Sequence, residues 1–388
     1  MKKRVCALSG SRADYGLLRW TMHEIQNSSD LNLQLVVTGS HLSSEYGSTY
    51  QEIESDGFKI DHKVAILDEA DNANGVSRAL GFGVIRFADV FSALAPDILL
   101  ILGDRYEVFA GATAATVLQI PIAHCHGGEL TEGAIDDAFR HSITKMAHLH
   151  FVASEEYRHR VIQLGEDPAR VFNVGAFGLE CIERTELLAD LELQKIVGQD
   201  FGKYNLLIAY HPETLSPKEC EANLWNLLTA LDQFPDVKLY FSLSNADENG
   251  RFVNQLIREY VRKNAQRAVY HANLGQSAMY SLMKRVDAIV GNSSSGIIEA
   301  PALGLPTLNI GDRQKGRIRT PSIIDCKSDK VHIERALATV FTEQSAVRPE
   351  GHLDCQQRTP PSKIVTKHLR KHSREQLIKK QFYNLKVN

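Results

Sequence analysis

Val286-Asp287-Ala288-Ile289-Val290-Gly291-Asn292-Ser293-Ser294-Ser295-Gly296-Ile297-Ile298-Glu299 is the stretch on which the reading of this chain turns. The mostly apolar run Val286 to Val290 reads as a buried strand, the Gly/Asn/Ser cluster as a tight turn, and Ile297 to Leu303 as the opening of a helix. The first amides of a helix are unpaired and its dipole is positive there. Small residues that let the backbone approach phosphate oxygens therefore suit this point, and serine hydroxyls add donors. Ser293, Ser294, Ser295 and Gly296 are candidates to hold a diphosphate, with Glu299 placed to accept from ribose hydroxyls. The same residue types also serve as ordinary helix caps.

Working outward, apolar runs bounded by Gly, Pro or polar turns recur with amphipathic stretches between them. They are Val5 to Leu8, Leu33 to Val37, Ile98 to Leu102, Ile122 to His124, Leu149 to Val152 and Val171 to Val174. The pattern restarts after the polar, helix-prone stretch Glu183 to Gly202, with Asn205 to Ala209, Val237 to Ser242, Val269 to Tyr270, Ala288 to Val290 and Thr307 to Ile310. Such alternation predicts parallel strands with helical crossovers, twice over. The expected layout is an α/β domain over residues 1–180, a second over 181–362, and a C-terminal helix within 363–388, where apolar and basic residues alternate at helical spacing. Ligands of doubly wound sheets sit beyond the carboxyl ends of strands, so two facing domains would place the site in their cleft.

Composition narrows the function classes. The chain has 388 residues, 44 Lys+Arg against 47 Asp+Glu and a formal charge of -3. No electrostatic footprint for nucleic acid or an anionic membrane results, so phosphate affinity must be local. The cysteines Cys6, Cys125, Cys181, Cys220, Cys326 and Cys355 are scattered without CxxC or ligand-like spacing, which fits reduced thiols and a cytoplasmic location. The basic start Met1 to Arg4 precedes an apolar run too short for a signal-peptide core, and no segment approaches transmembrane length.

Polar motifs close the strands. Ser9-Gly10-Ser11-Arg12-Ala13-Asp14-Tyr15-Gly16 is a Gly/Ser turn with an arginine, a phosphate cradle or a routine capped turn; it is not GxGxxG, which disfavours NAD. Gly103-Asp104-Arg105-Tyr106-Glu107 sets an acid and a base at a strand end. His124-Cys125-His126-Gly127-Gly128-Glu129 follows the next strand, and Glu132, Asp136 and Asp137 come before Arg140-His141. Crowded carboxylates push each other's pKa apart, giving one ionised base and one protonated acid near neutrality. His124 and His126 would share one strand face and could instead join a metal site, but no third ligand stands at a recognisable spacing. In the second half, His211-Pro212-Glu213-Thr214 and Ser244-Asn245-Ala246-Asp247 close two further strands. Gly311-Asp312-Arg313-Gln314-Lys315-Gly316-Arg317 holds three cations within five residues, a phosphate clamp or simply a solvated loop.

Together and in this order, these motifs resemble the UDP-N-acetylglucosamine 2-epimerases, specifically the hydrolysing branch. The marks are Gly-Ser-Arg-Ala-Asp-Tyr-Gly (10–16), Thr-Gly-Ser-His-Leu (38–42), Gly-Asp-Arg (103–105), His-Gly-Gly-Glu (126–129), Ile-Asp-Asp (135–137), Arg-His-Ser-Ile-Thr-Lys (140–145), His-Pro-Glu-Thr (211–214), Gly-Asn-Ser-Ser-Ser-Gly (291–296) and Gly-Asp-Arg-Gln-Lys-Gly-Arg (311–317). The resemblance implies an α/β fold of two Rossmann-like doubly wound domains in a glycosyltransferase-B-type arrangement, with the C-terminal helix packing back on the first. It implies a UDP-sugar substrate, UDP-N-acetylglucosamine giving N-acetylmannosamine, a homodimer or homotetramer, and neither cofactor nor metal. A base removes the C2 proton as UDP leaves C1; water then adds to the resulting 2-acetamidoglucal, with a proton delivered to the opposite face of C2.

By the same resemblance Asp104 and Asp136 match catalytic carboxylates, and Arg12 and His211 match diphosphate contacts. Ser293, Ser294 and Glu299 match the diphosphate and ribose site, and Asn245 and Asp247 a pair near the nucleotide. His41, Arg105, Ser295, Gly296, Arg313 and Arg317 complete the substrate-binding candidates. Many relatives carry Glu where this chain has His126, so the third acid/base role passes to Glu129, to His126 or to neither, with Asp137 a further candidate. The alternatives are a hydrolysing epimerase of a 4-acetamido-6-deoxy UDP sugar or a GDP sugar in legionaminic-acid synthesis, a non-hydrolysing epimerase, a glycosyltransferase of the same architecture, and a UDP-sugar sensor.

Overall fold

A computed structural model describes residues 2–341 and 359–385. The strands are β1 (Lys3–Ser9), β2 (Leu31–Thr38), β3 (His62–Val64), β4 (Ile98–Leu102), β5 (Ile122–Cys125), β6 (Leu149–Val152) and β7 (Val171–Asn173). They continue with β8 (Tyr204–Ala209), β9 (Val237–Ser242), β10 (Ala268–His271), β11 (Ala288–Gly291), β12 (Thr307–Ile310) and β13 (Ile323–Cys326). Each apolar run of the sequence lies on one of these. β3 and β13 had no such run, because they are short edge strands with exposed positions such as Lys63, Ile324 and Asp325.

All pairings are parallel, in the orders β3-β2-β1-β4-β5-β6-β7 and β10-β9-β8-β11-β12-β13. Helices cover both faces of the first sheet, which is why its strands read as continuous apolar runs. In β1, Val5 and Ala7 face one core with Leu18 and Met22 of the helix Arg12–Gln26. Cys6 and Leu8 face the other, with Phe87 and Phe91 of the helix Ala73–Leu94 and Val108 and Ala112 of the helix Tyr106–Val117. The second sheet buries Leu206, Ile208, Phe241, Val290 and Leu308 against Leu224, Leu228, Ile257 and Leu337. No helix among the described residues is long and apolar enough to cross a membrane.

Residues 2–129, 136–181 and 359–385 form one compact unit, and 130–135 with 182–341 the other. The segment 130–135, expected with the amino-terminal domain, is thus part of the second unit. Residues 342–358 of the expected second domain, Cys355 included, and 386–388 of the expected tail lie outside the described residues.

The tail departs from expectation. Instead of one helix it forms two, Pro361–Lys371 and Arg374–Ile378. The break follows from Ser373, whose hydroxyl accepts from Gln376 N–H while the Gln376 side chain returns to Ser373 N–H, starting a new helix. The first helix packs on Arg12–Gln26, with Val365 and Leu369 in the core. Its own N-cap, Pro360, provides no side-chain acceptor. Buried Glu180 does so instead, its carboxylate accepting from Ser362 N–H at 2.9 Å and from the Ser362 hydroxyl. Glu180→Ala is expected to destabilise this unit by about 2 kcal/mol, the usual worth of hydrogen bonds to a charged group, and to speed amide exchange over residues 361–371. A urea midpoint and tail exchange equal to the parent's would contradict it.

Candidate active site

Where neighbouring parallel strands send their helices to opposite faces, their carboxyl ends part and the turns that close them are left open. In the first unit this happens between β1 and β4, whose following helices feed the two separate cores. The turns after β1 (Ser9 to Asp14), β4 (Gly103 to Glu107) and β5 (His126 to Glu129) therefore stand side by side.

Arg140, 1% exposed, gathers the acids there. From the helix Asp136–Met146 its guanidinium pairs with Asp104, bonds Asp137 Oδ1 at 3.1 Å and donates to the Glu129 carbonyl at 3.0 Å. A buried guanidinium needs such anions, and they in turn are fixed in direction. Asp136 and Asp137 stand in the first turn of this helix. Asp137 reaches back to Arg140 and lies 3.5 Å from His141 Nε2. Asp136 is half-buried at the same helix start.

His126 sits in the left-handed region, φ +63°, so it does not continue the β5 alternation and shares no strand face with His124. Its Nδ1 meets Glu129 Oε1 at 2.5 Å, and its Nε2 receives Phe177 N–H at 3.4 Å. Since Nε2 accepts, the proton is assigned to Nδ1, which donates to Glu129. Buried His124 bonds the Gly103 carbonyl through Nε2, and burial lowers it to about 3. Among the described residues no group of three His, Cys, Asp or Glu is arranged to hold a metal.

Glu107, which the sequence reading left among turn residues, is fully buried against Gly10 and Gly39. Oε1 accepts from Arg105 Nε at 3.0 Å, and Oε2 has no partner. Burial pushes its carboxyl up to about 7, with Arg105 pulling it down and Asp14 pushing it up. Arg105 is thereby oriented from within the fold. Asp14 caps its helix, accepting from Gly10 and Ser11 N–H, while burial lowers the neighbouring Arg12 to about 10. His41 requires correction as a substrate contact. It is fully buried, bonded to Ser9 Oγ at 2.8 Å and Thr49 Oγ1 at 2.7 Å, and lowered by burial to about 3. A neutral ring with both nitrogens engaged braces the β1 turn instead.

The second unit repeats the topology between β8 and β11. Gly291, φ +138°, passes so close to β8 that a Cβ would lie 2.2 Å from Ala209 O. Asn292, fully buried, then clasps the end of β8: its Oδ1 accepts from His211 N–H at 2.7 Å and its Nδ2 donates to His211 O at 2.8 Å. The Asn292 carbonyl accepts from Arg313 at 3.2 Å and Gln314 at 2.9 Å, drawing the loop 311–317 onto the same turn. Arg317 lies in that loop, half-buried. His211 Nδ1 meets Ser244 Oγ at 3.1 Å, and half-buried Asn245 and Asp247 follow Ser244 beyond β9.

The helix expected over Ile297 to Leu303 is a 3-10 turn, Ser294–Gly296, and a four-residue helix, Glu299–Ala302. Pro301 lacks an N–H, and Gly304, φ +66°, follows. So short a helix has little dipole, and within the turn Ser295 N–H already donates to Ser293 Oγ at 3.3 Å and Gly296 N–H to Ser293 O at 3.1 Å. Glu299 is buried at its start. The sequence reading missed Arg140, Glu107 and Asn292 as organisers. Each stood inside a quoted motif, but nothing in composition or spacing marks a polar side chain as buried.

Glu107 yields a pH prediction. Folded, it keeps its proton to about 7; unfolded, to 4.5. Its favourable contribution is whole below the unfolded value and is lost as pH rises through about 7. Between about pH 4.5 and 8 the parent should lose on the order of 3 kcal/mol more stability than Glu107→Gln. Equal pH slopes in urea titrations of the two proteins would refute this.

Residues 23–355 match the family described as UDP-N-acetylglucosamine 2-epimerase. The chain is 46% identical over 324 residues, 84% of each protein, to the GDP/UDP-N,N'-diacetylbacillosamine 2-epimerase (hydrolyzing) of Campylobacter jejuni. It is 37% identical over 336 residues, 86% of this chain and 85% of the other, to the Escherichia coli polysialic acid biosynthesis protein P7. In fold it is similar to the UDP-GlcNAc 2-epimerase of Neisseria meningitidis, solved bound to UDP-GlcNAc, with a TM-score of 0.77 at 17% identity over 95% of this chain and 100% of that one. With two doubly wound sheets of the glycosyltransferase-B class and these matches over most of its length, the chain belongs to the UDP-N-acetylglucosamine 2-epimerase family, in its hydrolysing branch.

Proposed function

We propose that the substrate is a nucleotide-activated N,N'-diacetylbacillosamine, with a UDP or GDP leaving group, hydrolysed to the free 2-epimer and the nucleoside diphosphate. The observation that carries this choice is the 46% identity, across 84% of both proteins, to a hydrolysing epimerase of that name. The expectation of UDP-N-acetylglucosamine as substrate yields to it, and remains as a second reading because of the relative in polysialic acid biosynthesis.

The chemistry is the same for either sugar. A carboxylate takes the C2 proton while the C1–O bond breaks toward the diphosphate, leaving a glucal; water adds its oxygen at C1, and a second acid returns a proton to the other face of C2. Asp104, paired with buried Arg140 and fixed in direction by it, suits the base. Glu129, fixed by the Nδ1 proton of His126, and Asp136, at a helix start, are the candidates for the acid. The second unit's Arg313, His211 and the serine turn would steady the departing charge, a contribution of several kcal/mol when such groups are preorganised.

Incubation in deuterated water with UDP- and GDP-N,N'-diacetylbacillosamine and with UDP-N-acetylglucosamine, followed by NMR, tests this. The expected products are nucleoside diphosphate and a free sugar of inverted C2 carrying deuterium there, formed fastest from a diacetamido substrate. A higher kcat/KM for UDP-N-acetylglucosamine would select the second reading, and a retained nucleotide sugar would exclude hydrolysis. Asp104→Asn should lose at least roughly a hundredfold in kcat, in the range of a lost general base, with UDP affinity kept; near-normal turnover would remove Asp104 from the base role.

A further inference from the structure

Glu129 and Asp136 are assigned to the first unit, yet the six residues that join them, 130–135, belong to the second. That segment is seated on the two loops that close β8 and β12. Glu132 N–H donates to Lys315 O at 3.1 Å, Ile135 N–H to Thr214 Oγ1 at 2.9 Å, and Leu215 N–H to Gly133 O at 3.4 Å. Thr131 and Ala134 are buried, and the Thr131 carbonyl accepts from Ala134 N–H at 3.0 Å, so the segment closes into a turn. Lys315 and Glu132 pair at 3.4 Å on its exposed side, a minor addition.

Gly133 makes this seat possible. A Cβ at that position would stand 2.7 Å from Arg313 Cα, 2.8 Å from Asp312 O and 2.9 Å from Arg313 N, all backbone atoms that cannot swing aside. Thr214 belongs to the His211-Pro212-Glu213-Thr214 turn, and Arg313 to the loop drawn onto Asn292. The strap is therefore held by the same two loops that carry the diphosphate candidates, and the residues that flank it, Glu129 and Asp136, are the two candidates to return the proton.

We infer that residues 130–135 are a positioning strap, with Gly133 and Thr214 as positioning residues: their docking sets where Glu129 and Asp136 stand during the reaction. This rests on the acid role proposed above for those two residues. A misplacement near 1 Å suffices to cost roughly a hundredfold in rate, so loosening the strap should act on kcat while leaving nucleotide affinity to the loops themselves.

The test compares Gly133→Ala and the isosteric Thr214→Val with the parent, measuring turnover of UDP-N,N'-diacetylbacillosamine, UDP affinity by calorimetry, thermal midpoint, and amide exchange at residues 130–137. The expected result is faster exchange over 130–137, a kcat lowered at least tenfold in Gly133→Ala and less in Thr214→Val, and a UDP Kd within threefold of the parent. Faster exchange with unchanged kcat in both variants would overturn the positioning role and leave the proposed function standing. A parallel loss of UDP affinity and kcat would overturn it too, showing that the strap supports the anion loop instead. If Gly133→Ala fails to fold, Thr214→Val decides by the same criteria. A parent that releases no UDP from the sugar nucleotide would remove the proposed function and the strap's catalytic role together, a failure seen before any variant is made.

Discussion

Parallel strands cannot be joined by a tight turn; each must hand the chain to a crossover that returns it to the same end of the sheet. In this protein that constraint fixes where chemistry can stand. Because β1 and β4 are neighbours whose helices leave to opposite faces, and because β8 and β11 repeat the arrangement, each unit has one place where strand ends part. The turns there cannot be buried beneath a helix, so their polar groups need other partners. In the first unit those partners are charged side chains of one another. In the second they are main-chain groups, clasped by Asn292.

The two solutions differ in what they make available. Arg140 takes carboxylates that would repel each other and holds them around a single buried cation, so Asp104 and Asp137 are oriented by one side chain. Glu107 is the opposite case: shielded from water and only partly compensated by Arg105, it holds its proton to about 7 and fixes the buried Arg105 through Nε. At β11, Asn292 spends both ends of its amide on His211 and its carbonyl on Arg313 and Gln314. One neutral side chain thus sets the spacing of His211, Arg313 and Gln314 around the turn that follows β11.

Much of this was legible because parallel strands buried on both faces leave an unmistakable trace, and because Gly, Ser and Asn mark where such strands end. Ile98 to Leu102 and Thr307 to Ile310 appear as strands without adjustment. The failures have equally definite causes. β3 and β13 are edge strands with exposed residues and no apolar run. The helix expected beyond Gly296 was cut short by Pro301, and the tail helix was divided by the Ser373 cap. His41 carried a motif of a substrate contact, but only packing reveals that Ser9 and Thr49 occupy both its nitrogens.

By itself the sequence determined the class of fold, the ends of the strands and the family, since apolar periodicity, turn chemistry and motif order are properties of neighbouring residues. Tertiary structure alone decided which polar residues are organisers: that Arg140 lies beneath three acidic residues, that Glu107 has lost its water, and that residues 130–135 belong with loops 80 and 180 positions further on in the chain, on the order of magnitude that only long-range packing can bridge. The reason is physical: burial and hydrogen-bond partnership depend on what the rest of the chain brings near, and a local pattern carries no record of it.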